Sequence, residues 1–342
     1  MHRRTFLQAS AALAASQSTT QAMAVLPQPL LARALKPGDT VGLITPSSYV
    51  SDPDELDFAK RFCDFFHLKL KLAPHVTARY GYLAGTARER TSDLHAMFAD
   101  PDVHAIFCIR GGYGSAQMLP LIDFGLIRRN PKVFLGYSDI TALHTAISQR
   151  TGLVTFHGPV PLSHLSTWSQ QHLTRALFET APLGLQTNPP DPNPLQPSHT
   201  LRTIRPGKAT GPLAGGNLTL LTTTLGTPWE VETQGRILLL EDIGEDIYRI
   251  DRMLTQLRLA GKLQKAAAIV VGECKDCPPP NHASAYSLGE VLDYLLSDLN
   301  IPVYYGLSFG HTTDQVTLPI GIQATVDAAA QTLTVNDPAV QA

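Results

Sequence analysis

Ser138 stands in Gly136-Tyr137-Ser138-Asp139, directly after the apolar run Lys132–Leu135 and directly before a helical pattern. A hydroxyl there can attack a carbonyl if a base takes its proton and an acid orients that base. His311 follows Gly310 after a short apolar run, where a side chain can project into a cleft. Glu241 and Asp242 follow the run Arg236–Leu240. Neighbouring side chains on an extended segment point to opposite faces, so only one of the two acids can face that cleft. A glycine turn, Arg110-Gly111-Gly112-Tyr113-Gly114, closes the run Ala105–Ile109 and leaves a bare backbone that a ligand can approach closely. A serine nucleophile beside an oxyanion site is the chemistry of acyl transfer. Each residue also has a plainer reading. Ser138 with Asp139 makes a good helix N-cap. The Gly-x-Ser-x-Gly elbow lacks its second glycine, because Ile140 stands there. His311 also suits a hydrogen-bonded loop histidine, the acidic cluster a solvated turn, and Arg110 the partner of a structural carboxylate.

The elements that must position these residues are legible from the runs between them. Short apolar segments bounded by glycine suit strands buried on both faces of a parallel sheet. Open sheets of this kind bind ligands beyond the carboxyl ends of their strands, so both turns fall at one edge. Upstream, Val41–Ile44 is a strand ending in Thr45-Pro46-Ser47-Ser48. Asp54–Phe66 is a helix, Leu68–Leu72 a strand, Gly81–Gly85 a loop and Thr86–Phe98 a helix. The alternation gives right-handed βα units, and so a Rossmann-like parallel-sheet domain over 37–165. Residues 188–197, NPPDPNPLQP, are too rich in proline for a helix or strand interior, which places a linker within 166–208. A second domain over 209–335 opens with Gly211–Leu218. The strand Arg236–Leu240 leads into an acidic turn, Glu241–Glu245, then a helix from Asp246 to Leu259 and a strand Ala267–Val271. A helix near Ser287 and a hairpin of Ala324–Val326 with Thr332–Val335 complete it. The fold class is α/β: the parallel-sheet domain plus a smaller α/β domain with a β-rich, barrel-like core.

The 342 residues suffice for two such domains, and a net charge of -2 gives no field that favours nucleic acid or an anionic membrane. The first 24 residues read as a signal peptide of twin-arginine type. Arg3-Arg4 precedes a mostly apolar stretch from Phe6 to Ala15, and Ala22-Met23-Ala24 supplies a cleavage site. That stretch is shorter than the roughly 20 apolar residues a membrane span needs. A mature chain from Val25 loses two arginines and no acid, for a net charge of -4, and is expected in the periplasm or beyond. Without export it would be cytoplasmic. Cys63 and Cys108 fall on apolar faces. Cys274-Lys275-Asp276-Cys277 has no second pair with zinc spacing, so no metal site is read there, although a local disulfide stays open.

Six blocks in order resemble the serine LD-carboxypeptidase family, the muramoyl-tetrapeptide carboxypeptidases. They are Ile44–Ser48, Arg110–Gly114, Gly136–Thr141, Gly215–Leu218, Leu240–Asp242 with Tyr248–Arg252, and Gly310-His311 with Pro319–Gly321. The resemblance implies Ser138 as nucleophile, Glu241 as acid and His311 as base, a triad split across the two domains. It implies the backbone N–H groups of Gly112 and Asp139 as oxyanion donors. The implied activity releases the terminal D-alanine from peptidoglycan tetrapeptides, cutting after the L-centre of diaminopimelate or lysine. No cofactor or nucleic acid is involved, and a homodimer is implied. Arg110 would hold the terminal carboxylate by bidentate contact. Two other functions fit the same blocks. One is a related peptidase acting on peptide–nucleotide conjugates, of the microcin C immunity type, with Trp229 as a candidate base-stacking residue. The other is a non-catalytic muropeptide-binding protein.

Overall fold

Strand and helix alternate through the first half of the chain. The computed structural model describes residues 28–191, 193, 195, 199–277 and 286–342; the signal segment read at 1–24 lies outside them. In order come β1 (Thr40–Ile44), α1 (Asp54–Phe65), β2 (Lys69–Leu72), α2 (Ala87–Ala99), β3 (Ala105–Cys108), α3 (Phe124–Arg129), β4 (Val133–Gly136), α4 (Thr141–Thr151) and β5 (Thr155–His157). These strands pair in parallel in the order β5-β4-β3-β1-β2. β3 and β4 are buried throughout. Alternate residues feed two separate cores: Ala105 and Phe107 face one, Ile106 and Cys108 the other. That is why the runs read as continuously apolar rather than alternating. Thr86 caps α2 in a capping box with Glu89, and Gly152 at φ +79° stops α4.

The second half continues with α5 (Thr167–Phe178), β6 (Gly184–Gln186), β7 (Arg202–Arg205), β8 (Lys208–Asn217), α6 (Leu218–Thr223), β9 (Ile237–Ile243), α7 (Ile247–Leu259), α8 (Lys262–Lys265), β10 (Ala268–Lys275), α9 (Leu288–Leu296), β11 (Val303–Leu307), β12 (Leu318–Ile320), β13 (Gln323–Asp327) and β14 (Thr332–Val335). Its sheet has the order β6-β14-β13-β8-β9-β10-β11-β7. β8 to β11 are parallel, and antiparallel strands flank them. The second domain is β-rich, as expected, and the sheet has β6 and β7 as its edges.

Two boundaries differ from the sequence reading. The stretch 166–208 is not one linker: it contains α5, β6 and β7. Leu173, Ala176 and Leu177 of α5 pack in the same core as Leu35 and Phe156. The proline run masked this, because it breaks the pattern only near residue 189. The acidic cluster is also not a turn at its start. β9 continues through Glu241 and Asp242 to Ile243, held in register by β10 and, at Glu241, by β8.

One connection decides where the site forms. After β11 the chain returns to the first sheet, where β12 pairs antiparallel with β5. The segment that makes this crossing carries His311.

Candidate active site

β4 ends at Gly136, and the chain turns sharply through Tyr137 and Ser138 into a short helical turn that continues as α4. Ser138 has φ +62°, the left-handed region that a residue with a side chain occupies only when its neighbours hold it there. The missing second glycine of the elbow is offset from the other side. A Cβ on Gly136 would come within 2.5 Å of Ile140 Cγ2, so the first glycine makes the room that buried Ile140 needs. Gly111 is equally tight, since a Cβ there would lie 2.9 Å from Ser138 Cβ. The N–H of Asp139 falls in the first turn, where helix donors have no partner within the helix.

The turns after β1, β3 and β4 are bolted together under the serine. Asp139 accepts hydrogen bonds from Ser47 Oγ at 2.5 Å and Ser115 N at 2.9 Å, and Ser115 Oγ donates to Asp139 O at 2.5 Å. Burial pushes the Asp139 carboxyl up, against the pull of these bonds. Arg90, almost wholly buried, donates from Nη1 to Pro46 O at 2.6 Å and Gly114 O at 2.8 Å. Gly112 has φ +121°, and a Cβ there would sit 2.6 Å from Ser48 Cβ. Only glycine fits, and Gly112 lines the same cavity as Ser138. Sequence reasoning missed Arg90, Ser47 and Ser115; Ser47 lay inside a matching block but had no sign of a partner.

β9 brings the acids. Alternation separates them as expected: Glu241 faces His311, and Asp242 faces away. His311 Nδ1 lies 2.7 Å from Glu241 Oε2, and His311 Nε2 lies 3.0 Å from Ser138 Oγ. A carboxylate only accepts, so Nδ1–H donates to it and Nε2 is left to accept the serine proton. Burial pushes the Glu241 carboxyl up, but contacts with His157 and His311 outweigh it and hold it at about 2. The His311 contact is the firm one. His157 Nε2 is 3.7 Å from Glu241 Oε1, beyond hydrogen-bond length. For His311, burial alone would lower the pKa; the bond to Glu241 and its charge, with Asp242 and Cys277 behind, raise it above the ordinary histidine value. Asp242 is not solvated either. It is buried and accepts from Asn217 Nδ2, from Thr219 N and Oγ1, and from Ile243 N.

The two halves meet tightly at this point. Gly216 has φ +138°, and a Cβ there would lie 2.6 Å from Thr141 Oγ1, which accepts a hydrogen bond from Asn217 N at 3.0 Å. The end of β8 thus abuts the start of α4, and β9 beside it carries Glu241 up to the serine turn. This explains why the Gly215-Gly216-Asn217 block matters although it carries no reactive group.

Ser138 and His311 open on a cavity of about 460 Å³, with Arg110, Gly111, Gly112 and Tyr137 on its wall. Glu55, Phe58, Val160 and Leu162 also line it and gave no signal in the sequence. Arg110 Nη1 lies 3.2 Å from Glu55 Oε1, so a cation and an anion share one wall. Trp229 is not on that wall. It packs against the hydrophobic core that contains Ile140 and Leu143, which fits an interior role rather than base stacking. Cys274 and Cys277 are free thiols. No helix among the described residues is long and apolar enough to cross a membrane.

Two family models match the chain: one described as the LD-carboxypeptidase N-terminal domain over residues 41–158, and one as the LD-carboxypeptidase C-terminal domain over 210–326. A probable murein peptide carboxypeptidase of Bacillus subtilis (strain 168) is 44% identical over 304 residues, spanning 89% of this chain and 93% of that protein. The microcin C7 self-immunity protein MccF of Escherichia coli is 31% identical over 335 residues, 89% of this chain and 95% of that protein. A structure of MccF in the apo state covers 92% of this chain and all of its own, with a TM-score of 0.81 at 28% identity. The muramoyltetrapeptide carboxypeptidase structure from Oxalobacter formigenes covers 87% of this chain and 99% of its own, with a TM-score of 0.76 at 31% identity.

Proposed function

Since the chain belongs to the LD-carboxypeptidase family, a family of serine peptidases, we propose that it removes the terminal D-alanine from peptidoglycan tetrapeptides through a Ser138–His311–Glu241 triad. The observation that carries the reading is the relay itself. Ser138 Oγ, His311 and Glu241 are linked in series at 3.0 and 2.7 Å, at the mouth of a cavity. His311 Nε2 takes the Ser138 proton as Oγ attacks the carbonyl carbon. The N–H groups of Gly112 and Asp139 receive the oxyanion; losing one such donor typically costs about 10²–10³ in rate. His311 then protonates the leaving amine, the C–N bond breaks, and D-alanine departs from an acyl-enzyme. Water, activated by the same imidazole, releases the shortened peptide. Arg110 holds the carboxylate of the departing residue, in competition with Glu55.

The test is mass spectrometry of muropeptides incubated with the purified protein. Tetrapeptides should shorten by one terminal D-alanine and the rest of the stem should stay whole. Intact tetrapeptides, or cuts inside the stem, would refute the reading. Relatives of the MccF type keep a peptide–nucleotide substrate as the second reading. Trp229 does not support it, being packed half-buried against the core and absent from the cavity wall. A muropeptide-binding protein without activity would have no use for the strained turn at Ser138.

We also propose export of the folded protein, on the Arg3-Arg4 signal read at residues 1–24. N-terminal sequencing after cell fractionation should find a chain beginning near Val25 outside the cytoplasm. An intact Met1 on the abundant cytoplasmic species would contradict it. The homodimer implied by the family resemblance is tested by light scattering of the same preparation.

A further inference from the structure

Beneath the relay, two fully buried polar atoms face each other with no hydrogen-bond partner among the described residues. They are Nε2 of His157 and Oε1 of Glu241, 3.7 Å apart, on side chains with no exposed surface. The other carboxylate oxygen is committed to His311. A buried ionised oxygen has a strong demand for a donor, and the fold brings an imidazole to it. We propose that His157 is a positioning residue of the catalytic relay: it presents a protonated Nε2 to Glu241 Oε1 and so fixes the carboxylate against His311 Nδ1. The inference rests on the triad reading given above.

The surroundings of His157 are built to hold that ring. It is the last residue of β5 and pairs with Gly136 of β4 on one side and Leu318 of β12 on the other. The strand that delivers Ser138 and the strand that follows His311 therefore fix its backbone together. On the facing domain, a Cβ on Gly216 would come within 3.2 Å of His157 Cδ2, so the second glycine of that block leaves space for the imidazole. Phe309 closes on the ring at 5.8 Å, nearly perpendicular.

The other titratable groups around it do not supply the missing donor. His144 on α4 lies 6.3 Å away, ring to ring; its Nε2 donates to Gly136 O at 2.9 Å, and burial holds its pKa down at about 3. Tyr137 stands 6.2 Å away, ring to ring, and its hydroxyl is bonded to Ser163. Across Glu241, His311 is engaged with the other oxygen, and Asp242 is turned to Asn217 and Thr219. A histidine that only filled space would be indifferent to its tautomer. This one must carry its proton on Nε2, because a lone pair there would repel the carboxylate.

The test compares His157→Phe, which keeps a ring and loses the donor, with His157→Gln, which keeps an N–H near the same place. His157→Phe should lower kcat by about 10–100-fold, the usual loss when an outer partner of a functional group is removed, with KM little changed. It should also move the acid limb of the kcat/KM profile, which a packing role would leave in place. His157→Gln should recover most of kcat. Wild-type kcat and an unmoved limb in folded His157→Phe would overturn the proposal. Ser138→Ala, run alongside, separates the two readings. Activity lost there but kept in His157→Phe rejects only the positioning role, whereas activity kept in Ser138→Ala rejects the triad on which it rests. Should His157→Phe fail to fold, nitrogen-15 NMR of histidine-labelled wild-type protein decides. The His157 ring should be protonated at Nε2, and a neutral ring protonated only at Nδ1 would overturn the proposal.

Discussion

Gly310 lies against Glu241 so closely that a Cβ on it would stand 2.6 Å from the carboxyl carbon. Its backbone, at φ +90°, is also one that side chains rarely adopt. The residue before His311 is thus shaped by the carboxylate that His311 contacts. Gly310→Ala should leave the protein folded and displace Glu241 or His311 by a fraction of an ångström to an ångström. A misplacement of that size costs about 10² in rate. Steady-state kinetics should show the loss in kcat rather than KM.

The pH profile follows from the same contact. The proposed mechanism needs neutral His311, whose pKa the Glu241 carboxylate raises above 6.5, so it predicts an acid limb of kcat/KM above that value. In Glu241→Gln the two largest raising contacts are lost and only the smaller pulls of Asp242 and Cys277 oppose burial, so the limb should move down. The rate should fall by about 10⁴, as when a triad acid becomes an amide. The stability linkage has two signs. Glu241, held at about 2 against an ordinary 4.5, contributes stability that is complete above 4.5 and lost as pH falls through 2. His311, raised, contributes stability that is complete below 6.5 and lost as pH rises through its folded pKa. Thermal melts across pH should show a gentle decline on the alkaline side that is absent in His311→Ala.

Asp242 should behave unlike its neighbour. Asp242→Ala removes the acceptor for four donors, from Asn217, Thr219 and Ile243. Leaving buried donors unpaired costs about 1–3 kcal/mol each where water cannot replace the partner. Stability measured by denaturant should drop, while kcat of the folded fraction stays within a few-fold of wild type.

Much of this site could be read before the fold was known, and the limits are physical. Ser138, the glycine turn at 110–114 and the strands before them were legible because two-faced burial writes continuous apolar runs between glycines. The choice of Glu241 over Asp242 came from the family resemblance; alternation allowed only one, without saying which. His157 was silent, because one buried histidine at a strand end has no sequence pattern. Glu55 was silent for another reason. It sits in the first turn of α1, where an acid is ordinary helix chemistry, and only the tertiary fold brings it to Arg110. The linker was overdrawn because proline is a strong local signal, and the apolar spacing of α5 is weak beside it.

Arg110 and Glu55 give a test of carboxylate recognition. If Arg110 grips the terminal carboxylate, Arg110→Ala should raise KM by roughly 10–100-fold, the worth of one charge-assisted hydrogen-bonded contact, with kcat nearly kept. Glu55→Gln frees the guanidinium from its 3.2 Å partner and should lower KM. A peptide amidated at its C-terminus should bind poorly to both the wild type and Glu55→Gln.

The measurement that reaches the central claim most directly is D-alanine release from a tetrapeptide ending in D-alanine. It compares the wild type, Ser138→Ala, His311→Ala and the double variant, with the L-alanine peptide as control. The wild type should release alanine from the D-peptide only, with or without EDTA. Each single variant, folded by circular dichroism, should lose nearly as much as the double, on the order of 10⁶ in turnover, because the relay acts as one unit. Wild-type turnover in Ser138→Ala, or its abolition in the native enzyme by EDTA, would contradict the serine mechanism.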